Sequence, residues 1–158
     1  MAALTASRKI ITAGIPLKTL RKVPVDANAI IYHGAMVAKT SGYAGAATTG
    51  ADKVIGVANL RIYNDINTQG QASTWGGTAG EKVDNTGGSA GARKIAVEVG
   101  VVKFANKAGD LVDETMIGDD CYVENDQTVR ATAAGSIIAG KVYGIDDDGG
   151  VFVEVGEQ

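Results

Sequence analysis

The segment Arg93–Asn106, RKIAVEVGVVKFAN, constrains this chain more than any other. Ile95, Val97, Val99 and Val101 recur at every second position, with Lys94, Ala96 and Glu98 between them. A period of two is that of a strand, whose side chains alternate between faces; a helix would return its apolar residues every three or four positions. The phase then slips, because Val102 and Phe104 are apolar while Lys103 is charged. A slip of one residue beside Gly100 predicts a β-bulge there. A strand this long needs partners, so the rest of the chain has to supply sheet.

It does so in short pieces. AIIYHGAMVAKT opens with Ile30 and Ile31, turns at Gly34 and resumes with Met36 and Val37. KVIGVANLRIY, Lys53 to Tyr63, is β-branched and holds Gly56, which predicts a bend or bulge. NKAGDLV predicts a turn into a short strand, and DETMIG one helical turn capped by Asp113 and ended by Gly118. Cys121–Glu124 and Thr128–Thr132 flank the turn residues NDQ. SIIAGKVYGI and VFVEV flank DDDGG, a hairpin signal, with Val151, Val153 and Val155 inward and Glu154 outward. Asn64–Gly91 contains seven glycines and no sustained period, which predicts a long loop bearing Trp75. A faint internal echo is present: Val37 lies 19 residues before Gly56, and Val123 lies 17 before Gly140, as two related β units would give.

Composition fits the same class. The 22 glycines in 158 residues are about twice the usual ~7% share. With two prolines and 5% aromatics, the chain reads as all-β: a small β-barrel or β-tulip-like domain, residues 25–158, preceded by an extended N-terminal arm, residues 1–24. The arm carries Arg8, Lys9, Lys18, Arg21 and Lys22 and no acid, leaving the remainder with 10 basic and 18 acidic residues. A basic arm beside an acidic body predicts that the arm lies on an acidic surface, its own or a partner's. KIITAGI, with Ile10 and Ile11, has the pattern of a strand added to a neighbouring sheet edge. Five dispersed cations do not predict nucleic-acid binding. No apolar run reaches the ~20 residues of a membrane span, and no signal peptide is expected.

Three chemistries are weighed against plainer readings. Cys121 is the only cysteine and His33 the only histidine, so a nucleophile–base pair requires the fold to bring them together. The context CYV favours a buried cysteine instead. GDD, GDDCYVEND and DDDGG lack the Asp-x-Asp-x-Asp-Gly order of a calcium loop. TWGGTAG and NTGGSAG lack the Lys-Ser/Thr ending of a phosphate loop. Neither catalysis, metal nor cofactor is expected. Trp75, among small residues of the long loop, is a candidate either to cap the core or to anchor an interface.

DNTGGSAGARKIAVEVGVVKFAN, IGDDCYVENDQTV and AGKVYGIDDDGGVFVEV, in that order and spacing, resemble the structural cement, or capsid decoration, proteins of tailed bacteriophages. The likeness covers residues 84–155 and extends more loosely to about residue 30 through GAMVAKT and KVIGVAN; the arm and the Gln69–Gly80 loop are unmatched. GGVFVEV departs from the family, where an aromatic follows a single glycine. The resemblance implies a β domain made in the bacterial cytoplasm that binds the outer surface of the major capsid protein lattice, as a homotrimer, without catalysis, nucleic acid or membrane. Within that reading the expected interface residues are Arg8, Lys9, Ile10, Ile11, Lys18, Arg21, Lys22 and Trp75. A tail- or fibre-associated module and a carbohydrate-binding β module are the alternatives.

Overall fold

The structure, a computed structural model, describes residues 2–14, 17–60 and 81–156; for residues 18–21 it describes the backbone alone. Among these residues eleven strands run in chain order: β1 Lys18–Pro24, β2 Ile30–Tyr32, β3 Met36–Thr40, β4 Tyr43–Ala46, β5 Lys53–Val57, β6 Lys82–Asp84, β7 Lys94–Asn106, β8 Asp120–Asn125, β9 Thr128–Arg130, β10 Ile138–Ile145 and β11 Val151–Val155. A 3₁₀ turn, Glu114–Met116, is capped by Asp113, which accepts from Thr115 N. The chain is all-β, as the period-two patterning requires.

β7 is the axis of the molecule. Its second half pairs with β11 from Gly100 to Phe104 and runs parallel to β9 at Ala105 and Asn106. β9 pairs with β8, β8 with β10 and β10 with β11, which closes a five-stranded barrel. The first half pairs with β1 on one side and meets β5 at Val57–Glu98 on the other. β5 continues to β3 and β3 to β4. One parallel bridge, Val25–Ala44, returns the ring to the end of β1. Two five-stranded rings therefore share one strand.

The rings have the same topology, and residues 34–59 correspond to residues 118–143. Gly34 N donates to Ala58 O and Ala58 N to Ala35 O; Gly118 N donates to Val142 O and Val142 N to Asp119 O. In β3–β5 Val37 faces Gly56, and in β8–β10 Cys121 faces Gly140. Every counterpart in these sets lies 84 positions further on. Each glycine is required by the same close approach: a Cβ on Gly56 would lie 2.4 Å from Glu98 O, and one on Gly140 would lie 2.0 Å from Glu154 O. The internal echo is thus real, but its register differs by two residues. Cys121, not Val123, is the counterpart of Val37, and both lie 19 residues before their glycine.

Each ring has its own core. Val25, Val37, Ala44, Ile55, Ile95 and Val97 fill the first, with Ile31 and Val83 of the β2–β6 ribbon packed in. Val102, Phe104, Cys121, Val123, Val129 and the three valines of β11 fill the second. The switch from Val97 to Val102 explains the phase slip in β7. The β7–β11 ladder ends at the pair Val155–Gly100 and the β1–β7 ladder at Lys18–Val99, so the partner changes at the glycine where a bulge was expected. The strand leaves one barrel and enters the other, and the inward side changes with it. Because β7 is central, Ala96 and Glu98 are buried as well, and Glu98 accepts from Asn59 Nδ2 at 3.0 Å. Bulges occur elsewhere: opposite β3 in β5, as expected near Gly56, and in β1 between Thr19 and Lys22.

Two boundaries move. The last seven residues of the expected 1–24 arm are β1, a strand of the sheet. The expected loop Asn64–Gly91 contains β6 and the turns after it, held by Asn85, which is buried and donates to Asp26 O and Ser89 O. NKAGDLV forms no strand; Val112 is buried there, fixed by Asn106, whose side chain bonds both Val112 N and Val112 O.

Candidate functional site

The arm folds back along its own body. Leu4 N donates to the Asp126 carboxylate at 2.8 Å, and Ala2 O accepts from Gln127 Nε2 at 2.6 Å. Ser7 Oγ bonds the Glu81 carboxylate. Thr12 bridges antiparallel to Val102, and Lys103 N donates to Ile11 O at 2.8 Å. Leu4 packs on the first core and Ile10 on the second, so the arm straps the joint between barrels.

Arg8 stands at that joint. Its Nε donates to Gly34 O at 2.8 Å in the first ring and its Nη1 to Lys103 O at 3.1 Å in the shared strand. Its guanidinium lies 4.8 Å from the centre of the Phe104 ring, a cation–π contact. Burial lowers its pKa to about 10, against the opposing charge of Asp126. Burial likewise raises the pKa of Asp126, opposed by the Leu4 amide and by Arg8. Gly34 is the residue that admits this side chain, since a Cβ there would lie 2.5 Å from Arg8 Cγ.

Beside the strap runs an open groove of about 490 Å³ lined by Arg8, Ile11, Lys103, Phe104, Leu111 and Gly149–Gly150. Ile11 is 40% and Leu111 60% exposed, which makes the groove the apolar surface beside the arm. Lys103 reaches from it to Asp146 at 2.7 Å and Asp148 at 2.5 Å, anchoring the β10–β11 turn. The acids of DDDGG hold the chain's own lysine. Among the described residues no group of three metal-ligating side chains occurs.

The expected interface residues separate. Arg8 and Ile10 are drawn into the body, Ile11 lines the groove, and Lys9 and Lys22 are exposed. Lys18 and Arg21 contribute backbone to β1, and their side chains lie outside the described residues, as does Trp75. His33 and Cys121 belong to different rings. His33 Nδ1 accepts from Leu60 N at 3.1 Å, and Cys121 Sγ lies 3.5 Å from Gly140 O in the second core. Burial, then the charge of Asp120, pushes the Cys121 thiol up to about 12, which opposes thiolate formation. The groove was not legible in the sequence: Leu111 and Ile11 are 100 residues apart and share no motif. No family model matches the chain, and no curated protein or solved structure matches it either.

Proposed function

We propose that this protein is a phage head decoration protein, which binds the outer surface of the major capsid protein lattice and acts by binding rather than by catalysis. The observation that carries the reading is the match between motif and architecture. The three stretches resembling cement proteins are β7, the β8–β9 hairpin and the β10–β11 hairpin, which together make one closed barrel. A closed barrel has no free edges through which to aggregate, and it offers stiff surface to a lattice. Many copies, each binding modestly, reinforce a shell together. The arm-side groove, with Ile11 and Leu111 exposed, is the proposed capsid-facing surface, and a homotrimer is the proposed working form.

Purified protein mixed with decoration-free expanded heads is expected to co-sediment with them. Leu111→Asp, at an exposed position of the groove, is expected to weaken that binding roughly tenfold or more while leaving the fold intact. Absence of wild-type co-sedimentation overturns the reading.

A further inference from the structure

The two repeats treat one face in opposite ways. On the outer side of β3–β5, Met36 pairs with Val57 and Ala38 with Val54. All four are buried, at 0%, 0%, 2% and 1% exposure, and join the core cluster of the second barrel. Met36 N also donates to Asp126 O, in the β8–β9 turn, at 2.7 Å. The second barrel thus covers this face of the first. The corresponding pairs on β8–β10 are Asp120–Lys141 and Tyr122–Ile138. There the face is uncovered: Ile138 is 38% exposed, Tyr143, further along β10, is 50% exposed, and Asp120 and Lys141 form an exposed ion pair at 3.0 Å.

We infer that the outer face of β8–β10 is a self-association surface that takes the first barrel of a second copy, head to tail. What covers such a face is visible within the chain, because the counterpart face is covered by a barrel of the same topology. The elements that do the covering have counterparts too. The β8–β9 turn corresponds to the β3–β4 turn at Ser41–Gly42, which is exposed. A cleft of about 340 Å³ lined by Asp52–Val54 and Ser136–Ile138 makes the uncovered face continuous with the joint inside the chain. Tyrosine and isoleucine beside an ion pair is an ordinary interface composition. A head-to-tail contact uses two different patches and closes into a ring when the rotation permits. The repeat alone carries this, with or without a capsid.

Light scattering after size exclusion tests it. Wild type is expected to associate at micromolar concentrations, and Ile138→Asp and Ser41→Trp, changing opposite patches at exposed positions, are each expected to weaken association roughly tenfold or more. Mixing the two variants leaves one intact contact and is expected to restore a dimer, whereas Leu111→Asp, on the arm-side groove, leaves association unchanged. Thermal melts check that each variant folds, with Ile138→Ser replacing Ile138→Asp if needed. A monomeric wild type, an Ile138 variant that associates as wild type, or a mixture that stays monomeric overturns the inference.

Discussion

Single glycines and one arginine hold the rings at their spacing. Gly56 and Gly140 perform the same task in the two repeats, each lying against a glutamate carbonyl of the adjoining strand. Gly56→Ala is expected to cost about 2–4 kcal/mol, because the methyl meets backbone that cannot swing aside. Gly45, with nothing within 4 Å of its would-be Cβ, is expected to tolerate alanine within about 0.5 kcal/mol. Urea midpoints of the two variants check the contrast. A bend at Gly56 was legible because a glycine inside a β-branched run weakens the strand and marks a bulge or a close backbone approach. The partner in that approach was not, since the contact is with Glu98, 42 positions away. Arg8 is a similar case. In the sequence it is one of five basic arm residues, and only the fold distinguishes it, by setting Gly34, Lys103 and Phe104 around it.

At the scale of elements, the hairpins were the most legible part. DDDGG between two valine-rich runs gave the β10–β11 turn, and NDQ gave the β8–β9 turn, because turn chemistry is local. The repeat was harder. Between residues 34–59 and 118–143 only Gly34, Ala47, Thr48 and Gly56 are identical to their counterparts, too few to fix the register. The β10–β11 hairpin also carries a pH dependence. Hydrogen bonds from Lys103 lower the pKa of Asp146 and Asp148, so folding favours their ionised forms. That contribution is complete above the ordinary carboxylate value near 4 and is lost as pH falls through the depressed folded values. Asp126 works the other way: its raised pKa means that acid relieves a cost of burial. Thermal melts between about pH 6 and about pH 3 are expected to show a shallower fall for Lys103→Met than for wild type.

For the whole molecule, the sequence conveyed the class and a small barrel, but not that the longest strand also belongs to a second ring. One strand of 13 residues looks like part of one sheet, and nothing local says that its two halves serve different rings. The arm lies on its own body against Asp126 and Glu81, as its charge predicted, and there it also joins the two rings. Deleting residues 2–12 removes Leu4, Arg8 and Ile10 from the joint and is expected to cost roughly 3–5 kcal/mol, measured by denaturant, while far-ultraviolet circular dichroism keeps its β character. An unchanged midpoint would remove the strap from the account of stability. The shared strand carries a mechanical consequence as well. A displacement of either ring is carried along one continuous backbone into the other, because both pair with the same 13-residue strand.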